Sequence, residues 1–287
     1  MPAQTSRLAV DLSGSLLRVA DGALGESLRC GSGGTPAGAL VDGKVVDASG
    51  VSGALRQLLA RVEIRETRAL VAVSDSLATF RVLRLPPGAT DEIVEATISR
   101  ELPVNPGRML SRWMEIHTNG AGRTVYAVVW DRDLVNRAAD AVQGAGLEPV
   151  VVELKSLCIA RVVAEPACVL VDMSGNPMEI FVINDHVPEL WHTFHLATPV
   201  AEDIVDQLAD PLRQVLRFYT RRRDSGLNPR SPIMISSDQV VSDRTLLRLS
   251  QILRRPVQLV STPSRVPQDV RHGIYLTCLG LLMRRGT

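Results

Sequence analysis

Aromatic residues make up only 3% of the 287-residue chain: four Phe, three Trp and three Tyr. So few rings argue against a stacking platform for bases and leave the core to Val, Leu, Ile and Ala, the residues of buried sheets covered by aliphatic helices. Cysteine is sparse too. Cys30, Cys158, Cys168 and Cys278 are scattered without a CxxC pair. That argues against a metal site and fits a reducing compartment, where a thiol packs as a small apolar side chain. Neither sign of charge is in excess, since 32 Lys and Arg face 31 Asp and Glu for a formal charge of +1. A protein that grips a nucleic-acid backbone carries a basic excess, so nucleic acid is not an expected partner. No apolar run has the length that spans a bilayer, and the start, Met1-Pro-Ala-Gln-Thr-Ser-Arg7, lacks the apolar stretch of a signal peptide. The expectation is a soluble, cytoplasmic protein that reaches a membrane only through partners.

What the chain does contain is a strand–turn theme stated twice. Leu8-Ala-Val-Asp11-Leu-Ser-Gly14 and Val169-Leu-Val-Asp172-Met-Ser-Gly175 share one pattern, 161 positions apart. Each reads as a buried strand entering a turn, with Leu16 to Ala20 returning from the first. A theme repeated at that distance suggests two duplicated lobes, against the alternative of chance similarity between two buried strands.

Between the two themes the elements follow in a readable order. Residues 21–40, rich in Gly and Ser, read as a meander at an edge, and Val41-Asp-Gly-Lys-Val45 is a hairpin signal. Asp47 sets up a helix over 48–62, and 68–73 is a strand apolar on both faces. A strand over 77–85 stops at Pro86-Pro87-Gly88, and Thr90 caps a helix that ends at Pro103. Strands at 109–117 and 123–130, a helix from Asp131 to Gln143 and a strand over 147–152 complete a β-α-β-β-α-β module. Beyond it are a helix over 154–164, a second hairpin (178–196), helices over 200–209 and 211–223 separated by Asp210-Pro211, a strand at 233–235, a helix at 243–254, a strand at 257–260 and a closing helix over 270–284.

Several stretches carry a family resemblance. Gly38-Ala-Leu-Val-Asp-Gly-Lys-Val-Val-Asp47, the helix with Leu55 and Leu58, the 68–74 strand, Arg81-Val-Leu-Arg-Leu-Pro86, Arg100-Glu-Leu-Pro103 and Ala145-Gly-Leu-Glu-Pro-Val-Val-Val-Glu153 stand in the same order in PilM. The chain thus resembles PilM, the family of actin-like cytoplasmic proteins of the type IV pilus inner-membrane platform, related to the division protein FtsA. The resemblance is continuous over residues 7–175 and ordered to residue 284. It implies an α/β, two-lobed actin-like fold of the duplicated ribonuclease H-like kind. Residues 1–76 would start the first lobe, 77–153 would be an inserted SHS2-type module, and 154–166 a first-lobe helix. Residues 167–269 would form a reduced second lobe, and 270–287 a closing helix packed on the first lobe. The resemblance further implies a nucleotide cleft between the lobes and a surface for the cytoplasmic tail of a PilN-like membrane protein, with other platform or motor components as further partners.

By that resemblance the nucleotide site would comprise Asp11, Ser13, Gly14 and Ser15 in the first turn, Asp172, Ser174 and Gly175 in the second, and Ser237 in the adenine loop. Asp11 and Asp172 would hold the hydrated Mg²⁺ of Mg-ATP. The sequence departs from what such a site needs. Ser13 and Ser174 stand in place of glycines, Pro177 removes an N–H donor, and Ser237 and Asp238 add side chains where backbone should lie flat under adenine. Asp is also a common turn former at strand ends. The expectation is a scaffold with a degenerate cleft, no resident cofactor and no catalytic residue. The alternatives are an ATP-binding, weakly hydrolysing actin-like protein and an FtsA-related division or secretion component. The partner's tail is expected to dock in extended form beside the inserted module.

Two other features read as structural. His192 and His195 point to opposite faces of a strand and complete no metal site. Arg221-Arg-Arg223 ends a helix, where cations complement the dipole. The sequence stops just after the closing helix, so no separate amphipathic tail of the FtsA kind is expected.

Overall fold

Leu8, Ala9 and Val10 of the first strand, β1 (Arg7–Asp11), are fully buried, so both faces of that strand need cover. The computed structural model describes residues 7–175, 177–196, 204–221, 227–261, 266, 270 and 272–284. In it, β2 (Leu16–Gly22) returns antiparallel to β1, and β3 (Arg29–Gly34) pairs with β2 at the edge. The 21–40 segment, read as a meander, thus supplies an edge strand. A small hairpin, β4 (Leu40–Val41) and β5 (Lys44–Val45), leads into α1 (Ala48–Arg61). Asp42 and Gly43 both have positive φ, 49° and 72°, the backbone of a two-residue hairpin turn. A Cβ on Gly43 would also fall 2.1 Å from that of Ser74. Asp47 caps α1 as expected, its carboxylate accepting the Gly50 N–H at 3.0 Å.

β6 (Arg68–Val73) lies parallel to β1 on its other side. After a short 3₁₀ turn at Asp75–Leu77 come β7 (Ala78–Leu85), α2 (Asp91–Glu101), β8 (Met109–Asn119) and β9 (Gly122–Asp131). These three strands form their own sheet in the order β7-β9-β8. Thr90 precedes α2 but makes no capping bond through its side chain. The sequence reading placed α3 (Arg132–Gly144) and β10 (Glu148–Leu154) in the same module, and the structure corrects it. β10 pairs in parallel with β6, and Ala138, Ala141 and Val142 of α3 share a core with Leu55 and Leu58 of α1. The reason is burial. α3 is apolar along one stripe, and that stripe finds α1 and the first-lobe sheet, whereas α2 alone closes the core over Val125, Ala127 and Val129 of the small sheet.

The second lobe repeats the first. After α4 (Lys155–Val162), β11 (Ala167–Asp172) is flanked by β12 (Met178–Asn184) antiparallel, with β13 (Val187–Phe194) beyond it. On the other side of β11 lie β14 (Ile233–Ser236) and β15 (Val257–Leu259), each parallel to its neighbour. The two sheets read β3-β2-β1-β6-β10 and β13-β12-β11-β14-β15, the same order with the same directions. The repeated heptad is therefore a true structural duplication. Alternation along the central strands sorts the layers. Val169 and Val171 face an outer layer of α5 (Ile204–Thr220) and α6 (Asp243–Leu253), while Cys168 and Leu170 face inward. Leu8 and Val10 likewise face α1 and α3, and Ala9 faces inward.

Between the sheets lie α4 and α7 (His272–Leu282). Leu276, Cys278, Leu279, Leu281 and Leu282 of α7 are all buried, the pattern of a helix covered on every side. The first-lobe sheet receives it on small residues, Ala9, Ala20 and Ala72, which lets the helix axis come close.

A second difference concerns α5. The sequence predicts two helices separated at Asp210-Pro211, but Pro211 sits inside one continuous helix. Val205, Leu208, Ala209, Leu212, Val215, Leu216 and Tyr219 form one buried stripe across it, and burial of that stripe outweighs the lost backbone hydrogen bond. Pro211→Ala should therefore raise stability by about 2 kcal/mol, the order of the interior-proline penalty, read as a higher denaturant midpoint at unchanged slope. Residues 200–203, Asn176, Arg222, Arg223 and 285–287, which the sequence reading also touched, lie outside the described residues.

Candidate functional site: the inter-lobe cleft and a groove beside the inserted module

Both duplicated turns are built alike. Asp11, at the end of β1, accepts the Ser13 N–H at 2.9 Å and the Ser13 hydroxyl at 2.5 Å. Asp172, at the end of β11, accepts the Ser174 N–H at 2.9 Å. Each carboxylate thus closes its own turn, and the serines that stand in place of glycine direct donors at the protein. Asp11 and Asp172 are 1% and 3% exposed.

Buried carboxylates need cations, and register supplies one. Across the antiparallel pairs Asp11 faces Arg18 and Asp172 faces Glu179, each seven residues on. Arg18 Nη1 lies 3.7 Å from Asp11 Oδ2, and its Nη2 crosses to the second lobe to donate to the Ser174 carbonyl. In the second lobe the equivalent position holds an acid, so two carboxylates sit side by side. Lys155, the first residue of α4, answers them: its Nζ is 2.6 Å from Asp172 Oδ2 and donates to Glu179 Oε2. Trp191 Nε1 donates to the other Glu179 oxygen at 2.8 Å. Burial alone would lower the Lys155 pKa, but Asp172, Glu179 and Asp11 outweigh it and raise it. Burial alone would raise that of Asp172, and the Lys155 ammonium outweighs it in the other direction. Both stay charged.

Around this cluster lies a cleft of about 480 Å³. Ser13, Gly14, Ser15 and Gly175 line it together with Pro177 and Trp191, and the β4–β5 hairpin forms part of its wall. Thr193, on the same face of β13 as Trp191, lines it too, as does His195 just beyond the strand. Ser237 is elsewhere, in a separate concavity of about 380 Å³ where the start of α7 packs on it. Beneath the cleft Asp75 accepts the Ser156 N–H at 3.0 Å and the Ser156 hydroxyl, so it caps α4 from the first lobe. Burial pushes the Asp75 carboxyl up to about 7, with Ser156 pulling against it.

In this arrangement a Mg-ATP would have to displace the protein's own partners of both aspartates. One oxygen of each aspartate closes its turn and the other faces Arg18 or Lys155. Three carboxylates, Asp11, Asp172 and Glu179, stand against two cations, Arg18 and Lys155, so the cluster carries one negative charge in excess. Among the described residues no group of three or more His, Cys, Asp or Glu is placed to hold a metal ion.

A second concavity, of about 330 Å³, opens between the inserted module and the first lobe. Its apolar wall includes Val128, Trp130, Val135, Val151, Val152 and Leu157, and Arg112, Glu153 and Arg284 also line it. β10 borders it and is an edge of its sheet.

The sequence reading found the aspartate turns but missed Arg18, Lys155, Glu179 and Asp75. Two signals could have found the first three. The spacing of seven from each aspartate repeats, and the chain has just two lysines, Lys44 and Lys155. An arginine-rich sequence that keeps one lysine at the head of an apolar helix marks a buried point charge.

Two five-stranded sheets of identical order, a central helix pair and two aspartate turns facing one cleft define a two-lobed actin-like fold. No protein-family model matches the sequence, and no curated protein does. Among solved structures it is similar to a chain of the PilM–PilN type IV pilus biogenesis complex, with 18% identity, 98% of each chain covered and a TM-score of 0.76. It is also similar to the ethanolamine utilization protein EutJ from Carboxydothermus hydrogenoformans (16% identity, 99% of this chain and 90% of that one, TM-score 0.58). A third is the cytoplasmic domain of EpsL, an inner-membrane component of the type II secretion system of Vibrio cholerae (12%, 98% and 97%, 0.56). The resemblance to PilM read from the sequence therefore holds at the level of the fold. Among the described residues no helix is long and apolar enough to cross a membrane.

Proposed function

We propose that this chain is a PilM-like scaffold of a type IV pilus inner-membrane platform, which binds the cytoplasmic tail of a PilN-like membrane protein and runs no ATPase cycle. The observation that carries the reading is the groove between the inserted module and β10. It offers an apolar floor for alternate side chains and an edge strand for main-chain pairing, the two requirements of strand addition. Support comes from full-length likeness to a protein solved in a PilM–PilN complex, weighed with the rule that function lives in sites rather than folds. The strand–helix–strand–strand order of β7, α2, β8 and β9 agrees with an SHS2-type module. The charge-paired cleft supports the non-enzymatic side. The protein sits at the inner membrane through this partner, alongside other platform components.

The test is fluorescence anisotropy with a labelled peptide of the tail of the PilN-like protein from the same genome. Wild type is expected to bind it, and Trp130→Ala to weaken binding by roughly 30-fold, the scale of a lost aromatic anchor of about 2 kcal/mol. An unchanged Kd in Trp130→Ala, at unchanged thermal midpoint, places the peptide elsewhere.

A further inference from the structure

We propose that the Lys155 ammonium is a built-in substitute for a divalent cation, and that with Arg18 it keeps the two lobes closed with nothing bound between them. The proposal rests on the reading that the cleft does not take Mg-ATP.

The duplication makes the argument. Equivalent positions opposite the two aspartates carry Arg18 in one lobe and Glu179 in the other. The first lobe is neutral by its own pairing. The second places two acids directly opposite each other on adjacent strands, an arrangement that like-charge repulsion disfavours even at a surface and that burial makes far worse. A cation must stand between them, and the protein supplies it covalently, from the helix that joins the lobes. That position is a poor one for a lysine on other grounds. It is the first residue of α4, where the positive end of the helix dipole repels an ammonium. The carboxylates, not helix stability, account for Lys155.

Geometry gives the second half. Arg18 reaches from the first-lobe sheet to the Ser174 carbonyl in the second-lobe turn, and Lys155, anchored just after β10, reaches Asp172 and Glu179 on the second-lobe sheet. Among the described residues, Arg18 and Lys155 thus both reach across the cleft to the second lobe. The fixed closure suits a platform that holds a shape rather than one that cycles.

Thermal unfolding of the full chain with and without millimolar Mn²⁺ or Mg²⁺ tests this. Lys155→Met leaves Asp172 and Glu179 uncompensated, and the midpoint should fall by about 10 °C, the scale of a broken buried pair. Mn²⁺ should recover at least half of that loss in the variant and leave wild type unmoved. Lys155→Met/Glu179→Gln, which removes one acid with the cation, should be more stable than Lys155→Met and indifferent to Mn²⁺. This double variant is read even if Lys155→Met does not fold. An Lys155→Met protein that folds yet ignores both metals overturns the substitution, as does a double variant no more stable than the single. Failure of the prior reading looks different. Wild type would then gain several degrees from Mg-ATP, or show micromolar heat of binding for it.

Discussion

Gly280→Ala should lower the thermal midpoint by roughly 4–8 °C, although the same change in an open helix raises it. On helix propensity alone alanine gains about 1 kcal/mol over glycine. In α7 the propensity term loses. A Cβ at Gly280 would lie 2.0 Å from the Cys158 carbonyl oxygen and 2.5 Å from its carbon. Both are backbone atoms of α4, so no side chain can swing away, and the central helix pair must separate. That separation also loosens Ala9, Ala20 and Ala72 of the first-lobe sheet from α7, and it disturbs the 2.6 Å bond from Arg161 Nη1 to the Gly280 carbonyl. Overpacking of this kind costs about 3 kcal/mol, which leaves about 2 kcal/mol after the propensity gain, and each kcal/mol is worth about 2–4 °C in a chain of this size. Gly53 in α1, where an added Cβ meets no heavy atom within 4 Å, is the control and should gain stability as alanine. If Gly280→Ala proves as stable as wild type, the close approach of α4 and α7 is wrong.

The second large effect is a pH dependence carried by Asp75. Its folded pKa is raised to about 7, against about 4 in an unfolded chain. The folded state therefore keeps a proton that the unfolded state releases. The stability this contributes is fully present below about pH 4, falls as pH rises toward 7, and is flat above. Asp172 works in the opposite direction, because its lowered pKa costs stability only when the pH falls through that value. The fall in stability between pH 5 and 7 is thus the one that Asp75 carries. Asp75→Asn keeps an acceptor for the Ser156 N–H but cannot ionise. Urea midpoints should show the variant gaining on wild type between pH 5 and 7.5 by about 2.5 kcal/mol, the part of a shift of this size that falls in that window. Superimposable pH profiles for the two proteins would remove the buried charge from the account. The effect bears on function because Asp75 precedes β7 and holds the head of α4, tying the inserted module to the cleft.

What was legible from residues alone was local or repeated. The Asp-Gly hairpin before α1, the Asp47 cap and the doubly apolar β6 follow from φ preference, capping and periodicity within a few residues. The duplication showed because two buried strands entering equivalent turns keep the same small set of side chains. The remaining features depend on neighbours distant in sequence. The apolar pattern of Glu148–Leu154 states that the segment is a buried strand, and only assembly decides that it pairs with β6 rather than with the inserted module. Pro211 reads as a helix boundary until the burial of Val205 through Tyr219 on one stripe carries the helix past it. The cleft shows the division most sharply. Asp11 and Asp172 are visible as turn formers in any reading of the chain. Their chemistry was decided by Arg18 and Lys155, because a buried carboxylate takes its character from the charge that packing brings beside it.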